Sequence, residues 1–408
     1  MGTGAATRLA VDGGTPVRAT FLPYAHQVIS DEDVAAVAAA LRSDWLTTGP
    51  RVPAFEVMLA EATGVRHAVA FSSGTAALHG AVVAAGLGPG DEAVTTPMSF
   101  VATANAVLYA GATPKFADVT AGDLLISPDA VAGAIGPATR AILAVDYAGH
   151  PADYDALRRV ASDVPGGSLT VIADAAHSLG ASRGGRSVGT LADMTVLSLH
   201  PAKIMTTGEG GAVLTDRDDL AERLRRFRNH GISTELSERR DWTYAMVELG
   251  YNYRLTDIGA ALGSSQIRRL DEFLARRRAL AARYLERLGS HPIVELPVVA
   301  DDARPAWHFL FGRLRLDRLG ADRGTVFRAL RAENIGVNVH YIPIHTHPYY
   351  RERFHGLAFP VAEAEYERLL TLPLHAGMTD TDVDDVIAAL DKVAEAYGVT
   401  HERGATWT

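Results

Sequence analysis

Residues 68–78 read AVAFSSGTAAL, a short apolar run that passes through a small polar turn into an alanine-rich segment. The run 68–71 is typical of a buried strand, and 75–85 has the composition of a helix. Free N–H groups at the start of such a helix suit a phosphate. An ordinary helix cap made by a Ser or Thr of the turn explains the same residues.

The same alternation of strand and helix continues to about residue 215. Short apolar runs predict strands at 92–96, 113–119, 141–145, 169–173, 194–199 and 211–215, and small-residue stretches predict helices at 101–110, 128–135 and 154–163. Alternating elements with nearly continuous apolar strands are typical of a parallel sheet covered by helices on both faces. The sequence therefore predicts an α/β fold built on a mostly parallel sheet.

The pattern changes in the last part of the chain. A long Arg-rich helix is predicted at 258–288, and the Gly- and Pro-bearing stretch 290–297 indicates a domain boundary. Amphipathic stretches beyond it indicate a smaller α+β domain. We expect an N-terminal segment at 1–51 that packs on both domains, a large domain at 52–287 and a small C-terminal domain at 288–408.

The composition excludes several classes of function. The chain has 408 residues, 48% of them hydrophobic and 21% charged, which is typical of globular proteins rather than disordered ones. Its net charge of −9 argues against nucleic acid or an anionic membrane as the main partner. Cysteine is absent, which excludes disulfides, thiolate metal sites and thiol nucleophiles, and we expect a cytoplasmic protein. The sequence shows no targeting segment and no transmembrane run of about 20 apolar residues.

Lysine is rare in this chain, which has only Lys115, Lys203 and Lys392. Arginine replaces a surface lysine easily, but it cannot lose its proton and attack a carbonyl. Lys115 lies in a predicted strand and is expected to be structural, and Lys392 is expected on a solvated helix face. Lys203 lies between a predicted strand and a Gly-rich turn, and it is the best candidate nucleophile.

A carboxylate precedes this lysine at the end of another predicted strand. Asp174 follows the apolar residues 171–173, at the sheet edge where open α/β folds bind ligands. The alternative is that Asp174 caps the next helix and that His177 is an ordinary core or surface histidine. A phosphate site, a strand-end carboxylate and a later lysine, in this order, match the requirements of pyridoxal phosphate (PLP).

The sequence resembles a known family over nearly its whole length, from about residue 24 to residue 396. The resemblance rests on six ordered motifs, at 44–50, 73–75, 96–105, 174–177, 198–203 and 250–257. Together they are similar to the DegT/DnrJ/EryC1/StrS aminotransferases, which are PLP-dependent sugar aminotransferases of fold type I. Residues 146–149 and 198–203 look most like the PseC-type enzymes, which aminate the 4-keto carbon of a UDP-linked 4-keto-6-deoxy-hexosamine.

The resemblance implies a role for individual residues. It implies PLP as cofactor, bound covalently by Lys203 as the catalytic residue. The implied cofactor-binding residues are Ser73, Gly74, Thr75, Phe100, Asp174, His177, Ser198, Lys203 and, reaching the neighbouring subunit of a homodimer with shared active sites, Asn252. The implied substrate-binding residues are Tyr147, His200, Arg254, His340, Tyr341 and His345. The histidine spacing fits no zinc pattern, and no metal is expected.

These observations predict an aminotransferase that moves an amino group, from glutamate, to a keto carbon of a nucleotide-linked sugar. Two alternatives stay open. The same cofactor could serve a sugar dehydratase or a carbanion substitution or cyclisation on an amino acid. A non-enzymatic protein that kept the fold is the third reading, and the intact set of Lys203, Asp174 and Thr75 speaks against it.

Overall fold

The computed structural model describes residues 8–164, 167–233 and 241–399. Its strands are, in chain order, β1 (His67–Phe71), β2 (Glu92–Thr95), β3 (Thr113–Phe116), β4 (Thr139–Val145), β5 (Thr170–Asp174), β6 (Ser182–Arg183), β7 (Arg186–Ser187), β8 (Met194–Ser198), β9 (Gly211–Thr215), β10 (Val294–Glu295), β11 (Ala303–Arg304), β12 (Leu310–Leu314) and β13 (Leu369–Leu372). Its α-helices are α1 (Asp31–Leu41), α2 (Arg51–Thr63), α3 (Gly74–Ala84), α4 (Ala102–Tyr109), α5 (Pro128–Ala134), α6 (Tyr154–Ser162), α7 (Asp218–Arg228), α8 (Asp257–Gln266), α9 (Leu270–Leu288), α10 (Arg323–Ala332), α11 (Pro348–Arg353), α12 (Pro360–Arg368) and α13 (Asp380–Tyr397).

The largest sheet in the described part of the chain has seven strands in the order β1-β9-β8-β5-β4-β2-β3. Strand β9 runs antiparallel to β1 and β8, and the other neighbours pair in parallel. Alternate residues of β1 enter different cores, Ala68 and Ala70 on one face and Val69 and Phe71 on the other. Both faces are therefore covered, and the predicted α/β fold with a mostly parallel sheet is confirmed.

A second, smaller sheet has the order β10-β12-β13 and packs with α10 and α13 around its own core. Helix α9 belongs to both cores. Its first half contributes Phe273 and Leu274 to a core of the large sheet, and its second half contributes Leu280 and Tyr284 to the core of the small sheet. The boundary predicted at residue 288 falls at the end of this shared helix.

The N-terminal segment contacts both regions. Leu22 forms a parallel bridge with Ile335 beside the small sheet. Further along, the main-chain carbonyl of Val28 accepts a hydrogen bond from Gln266 at the end of α8 (2.9 Å). Tyr24, between these two contacts, reaches the cleft described below. None of the helices within the described ranges has the length and apolarity to cross a lipid bilayer.

Two details of the sequence prediction were wrong. The single helix expected at 258–288 is two helices, α8 and α9, joined by a 3₁₀ turn at Ile267–Arg269. Lys392 is not solvated: it is only 7% exposed, and its Nζ lies 2.8 Å from a carboxylate oxygen of the fully buried Glu333. The same Nζ donates to the carbonyl of Thr15 (2.8 Å). A long-range ion pair of this kind leaves no trace in a local amphipathic pattern.

Candidate active site

A cleft of about 510 Å³ opens at the carboxyl ends of the central strands. Val145, Asp174 and Ser198, the last residues of β4, β5 and β8, all line it. This is the edge at which open α/β sheets bind ligands. The strands are in register there, because Val145 pairs with Asp174 across the β4–β5 ladder.

Asp174 is a buried carboxylate held by two hydrogen bonds. Its Oδ2 accepts from Thr103 Oγ1 (2.7 Å), and its Oδ1 accepts from the main-chain N–H of Ala176 (3.3 Å). Burial raises the pKa of Asp174, and these hydrogen bonds together with the charge of Lys203 oppose the rise. No lysine, arginine or histidine of the described chain lies within 4 Å of the carboxylate. Asp174 therefore presents an acceptor that a cationic ligand group would satisfy.

Lys203 lies in the turn that follows β8. Its main-chain N–H donates to the carbonyl of His200 (2.8 Å), and the turn closes where Thr207 N–H donates to Leu199 (3.0 Å). Burial lowers the pKa of the Lys203 amine to about 8, and the nearby Asp174 opposes that shift. Nζ makes no hydrogen bond with the residues that the structure describes. An amine with a lowered pKa and no partner is suited to attack a carbonyl.

The start of α3 forms another wall of the cleft. Ser73 caps the helix by accepting from the N–H of Ala76 (3.1 Å). The N–H groups of Gly74 and Thr75, at the start of the helix, have no hydrogen-bond partner among the residues that the structure describes. A Cβ on Gly74 would lie 2.9 Å from the Cβ of Ser198, so only glycine lets the helix start beside β8. The helix has eleven residues, and its N-terminus with the flanking hydroxyls suits a phosphate.

Histidines and tyrosines line the opposite side. The hydroxyl of Tyr341 lies 3.1 Å from Nε2 of His177, and the His177 ring packs on His308 with ring centres 4.4 Å apart. Nδ1 of His177 has no hydrogen-bond partner among the described residues. Burial lowers the pKa of His177 and His308 well below the usual range and that of His340 to about 3. This wall is therefore neutral at physiological pH.

Phe100 projects its ring into the open part of the cleft. The side chain is 58% exposed although it follows a buried strand and turn, and its ring centre lies 6.1 Å from that of Tyr341. An exposed phenylalanine inside a cleft offers a flat apolar surface for a ring to stack on. His200 lies at the mouth, where its Nδ1 accepts from Ala202 N–H (3.2 Å).

Two predicted residues lie just outside the lining. Tyr147 is fully buried, and its hydroxyl donates to the main-chain carbonyl of His340, so it supports the histidine wall from behind. His345 is buried with its Nε2 2.8 Å from a carboxylate oxygen of Glu363. No group of three His, Asp or Glu side chains in the described part of the chain is arranged to hold a metal ion.

Two other predicted residues face a different surface. Arg254 lines a second cavity of about 790 Å³, and its Nη1 donates to Asn229 Oδ1 (2.8 Å). Asn252 is exposed and forms a bridge with Asn229. Neither side chain lines the cleft of its own chain.

The cleft also contains residues that the sequence analysis did not single out, namely Tyr24, Glu209, His308 and Asn338. Tyr24, His308 and Asn338 come from the N-terminal segment and from loops far from Lys203 in the chain, whereas Glu209 lies in the same loop as Lys203, between β8 and β9. His308 follows Trp307, whose backbone is left-handed (φ +56°), and this turn directs the next residue into the cleft. In the sequence around His308, the run of aromatic residues at 307–309 before β12 is the one local feature that could have drawn attention to it.

The donor set fits PLP. Its residues offer three separate attachments: N–H groups for a phosphate at the start of α3, a buried carboxylate at Asp174 and a free amine at Lys203. PLP carries a phosphate, a ring nitrogen that binds a proton, and an aldehyde that condenses with a lysine. Two further groups of the cleft could contact a bound cofactor: Nδ1 of His177, which has no hydrogen-bond partner among the described residues, and the exposed ring of Phe100.

Comparisons of sequence agree with this chemistry. The model of the DegT/DnrJ/EryC1/StrS aminotransferase family matches residues 27–391. The spore coat polysaccharide biosynthesis protein SpsC of Bacillus subtilis (strain 168) is 40% identical over 382 residues, which cover 92% of this chain and 97% of SpsC. The uncharacterized protein MJ1066 of Methanocaldococcus jannaschii is 38% identical over 383 residues, which cover 92% of this chain and 98% of MJ1066.

Solved structures give the same result. PseC of Helicobacter pylori, an aminotransferase involved in the biosynthesis of pseudoaminic acid, superposes with a TM-score of 0.86 at 30% identity and covers 92% of this chain and 100% of PseC. Spr1654 from Streptococcus pneumoniae, solved in a PLP form and a PMP form, superposes in its PLP form with a TM-score of 0.86 at 28% identity, covering 92% of this chain and 99% of Spr1654. The chain therefore belongs to the DegT/DnrJ/EryC1/StrS aminotransferase family, and it is a PLP-dependent transaminase of fold type I.

Proposed function

We propose that the protein transfers an amino group from glutamate to the keto carbon of a nucleotide-linked 4-keto-6-deoxy sugar. The observation that carries the proposal is that Lys203 and the buried Asp174 line the same cleft. Three similar structures support the proposal: PseC is an aminotransferase involved in the biosynthesis of pseudoaminic acid, CalS13 of Micromonospora echinospora is a sugar aminotransferase, and DesI was solved in the presence of its TDP-sugar product.

We assign the cofactor contacts as follows. Lys203 would bind PLP covalently, Asp174 would pair with the ring nitrogen, and Phe100 would cover one face of the ring. The phosphate would lie at the start of α3, beside Ser73, Gly74, Thr75 and Ser198. When bound, PLP supplies a ring that accepts the electron pair left when a proton leaves the substrate carbon. The negative charge of Asp174 keeps a proton on the ring nitrogen, which makes the ring a better acceptor.

Lys203 would then be the group that moves the proton. With its Nζ released by the amino donor, Lys203 would take the proton from the donor's α-carbon and pass it to the reacting carbon of the cofactor. In the second half of the transfer it would move a proton in the opposite direction, from that carbon to the sugar carbon. This requires a neutral amine, and the lowered pKa of about 8 raises the neutral fraction near pH 7 well above that of an ordinary lysine.

The neutral wall would hold the sugar. Tyr341, His177 and His340 offer donors and acceptors without net charge, and sugar hydroxyls bind to groups of this kind. His177 would also lie near the phenolic oxygen of the cofactor. His200 at the mouth would contact the outer part of the substrate, while Tyr147 and His345 would hold the wall from behind.

A second copy of the chain would complete the site. Lys203 is the only lysine or arginine that lines the cleft within the described residues, whereas a nucleotide diphosphate and a donor carboxylate both need cations. Asn252 and Arg254 lie instead on a face with an exposed apolar segment, in which Trp242 is 87% and Leu249 72% exposed. We propose that this face pairs in a homodimer, with Asn252 reaching the partner's phosphate and Arg254 the partner's substrate.

The proposed reaction is tested by incubating the protein with PLP, glutamate and a panel of UDP- and dTDP-linked 4-keto-6-deoxy hexoses. We expect an aminated sugar nucleotide and one equivalent of 2-oxoglutarate. A sugar that loses a hydroxyl without gaining an amine would instead indicate the dehydratase alternative. Such substrates and PLP are consistent with the cytoplasm, which we propose as the location of the reaction.

A further inference from the structure

A buried arginine lies next to the Lys203 turn, and its hydrogen bonds within the described ranges all go to main-chain carbonyls. Arg277 on α9 is 1% exposed. Its Nη1 donates to the carbonyls of Trp307 (3.2 Å), His308 (3.0 Å) and Leu374 (2.9 Å), and its Nη2 donates to the carbonyl of Lys203 (3.3 Å). Across residues 8–164, 167–233 and 241–399, no carboxylate lies within 4 Å of this guanidinium. Burial without a counter-ion lowers the pKa of Arg277 to about 10, so the group stays charged at neutral pH.

Burying a charged guanidinium without a counter-ion costs free energy, and the position of Arg277 in the fold indicates what the buried group does in return. It lies in the middle of α9, between Leu274, which packs in a core of the large sheet, and Leu280, which packs in the core of the small sheet. The carbonyls that it binds come from the loop after β8, the loop before β12 and the segment that follows β13. A guanidinium is a rigid planar fork of donors, so it fixes these three segments relative to one another.

One of these segments is held in a costly conformation. Trp307 has a left-handed backbone (φ +56°), which is a strained conformation for a residue with a side chain. Arg277 binds its carbonyl and that of His308, and the N–H of His308 donates to Ala148 (3.0 Å). These bonds hold the turn that places the His308 ring in the cleft.

We propose that Arg277 is a positioning residue for the amino transfer: it ties the backbone of Lys203 to that of His308, and so holds Nζ in the shielded part of the cleft that faces Asp174. The inference rests on the proposed role of Lys203. Without the fork, the Lys203 turn and the His308 turn would move independently, and water would reach the amine. A displacement of about 1 Å at a reacting atom can cost about a hundredfold in rate.

The neighbouring arginine provides a matched control. Arg278 also lies on α9 and also binds main-chain carbonyls, those of Pro305 (3.1 Å) and Gly180 (2.8 Å), but it does not contact the Lys203 turn. We compare Arg277→Lys, which keeps the charge and loses the fork, with Arg278→Lys. A merely structural role predicts the same behaviour for both variants, which is a loss of thermal stability alone.

The readout is the pKa of Lys203 in the cofactor-free full-length protein. Pulses of acetic anhydride across a pH series, followed by peptide mass spectrometry, report each lysine separately, with the more exposed Lys115 as an internal reference. We expect a midpoint at about 8 for Lys203 in the wild type and in Arg278→Lys. In Arg277→Lys we expect the pH midpoint of Lys203 acetylation to rise by roughly one pH unit. We also expect kcat to fall about tenfold or more, while KM for glutamate stays nearly unchanged. An unchanged midpoint and kcat in a folded Arg277→Lys variant would overturn the proposal.

If the Arg277→Lys variant does not fold, hydrogen–deuterium exchange of the wild-type protein still tests the proposal. Residues 274–281 of α9 do not line the cleft, yet Arg277, which lies within them, binds the carbonyl of Lys203. We expect PLP binding to slow amide exchange in this segment, and protection confined to the cleft-lining segments would count against the proposal. A wrong assignment of Lys203 as the PLP-binding residue gives a different result from a wrong role for Arg277. In that case borohydride would not fix PLP on the peptide that contains Lys203.

Discussion

Asp174→Asn is the substitution that separates a cofactor carboxylate from an ordinary buried acid. The structure accommodates the asparagine side chain. Its amide oxygen can still accept a hydrogen bond from the N–H of Ala176, and its amide nitrogen can donate one to Thr103 Oγ1. The hydroxyl of Thr103 then donates to Ser99 Oγ, which is 2.7 Å away. The fold should therefore survive, and the change is confined to one negative charge in the cleft.

The loss of that charge sets the size of the effect. Two unit charges about 3 Å apart interact by about 5 kcal/mol at an effective dielectric constant of about 20. Removing one partner of a buried charge pair costs about 2–5 kcal/mol. If the protonated ring nitrogen faces Asp174, the rate of the first half-reaction should fall by about 30-fold to several thousandfold. Stopped-flow absorbance of bound PLP after mixing with glutamate measures this rate directly.

Asp146→Asn is the control for this measurement. Asp146 follows β4 beside Asp174 and is also buried, where its carboxylate accepts from Tyr154 (2.7 Å) and Ser178 (2.6 Å). Burial raises the pKa of Asp146 to about 7, yet its side chain does not line the cleft. We expect Asp146→Asn to lower stability and to change the half-reaction rate by less than about fivefold. An equal loss of rate in both variants, or no loss in Asp174→Asn, would refute the assignment of Asp174.

Three further predictions follow from the described contacts. Because burial lowers the pKa of Lys203 to about 8, the rate of PLP capture by the cofactor-free protein should rise with pH only to about that value, since the neutral amine is the nucleophile; a rate still rising towards pH 10.5, the usual lysine value, would contradict this. Glu333→Gln should lower the free energy of unfolding by about 3–5 kcal/mol in urea melts, because it leaves the buried Lys392 charge unpaired, and the double variant with Lys392→Met should recover part of the loss. Trp242→Glu should halve the molar mass measured by light scattering and abolish activity, whereas Tyr349→Glu, also exposed, should leave a dimer.

The large sheet could be predicted from the sequence because its strands are buried on both faces. Such strands are continuous apolar runs, and β9, Gly211–Thr215, agrees with its prediction at both ends. Asp174 and Lys203 could be found for a related reason: each follows one of those runs, so the sheet itself carries them to one edge.

Long-range contacts could not be predicted in the same way. His308 and Tyr24 reach the cleft from loops, and only tertiary packing brings them there. The pairing of Lys392 with Glu333, 59 residues apart, is invisible to a periodic pattern, so the lysine was misplaced on a solvated face. The pattern of an Arg-rich amphipathic helix does not tell a buried arginine from an exposed one. It therefore gave no sign that Arg277 is buried and binds four main-chain carbonyls.

The most direct test of the central claim uses the three lysines of this chain. The full-length protein is incubated with PLP, treated with borohydride to make any bond between a lysine and the cofactor permanent, digested, and mapped by mass spectrometry. We predict that the reduced cofactor is found on the peptide that contains Lys203, with the peptides of Lys115 and Lys392 unchanged. A label on either of those two lysines, or on none, would contradict the account.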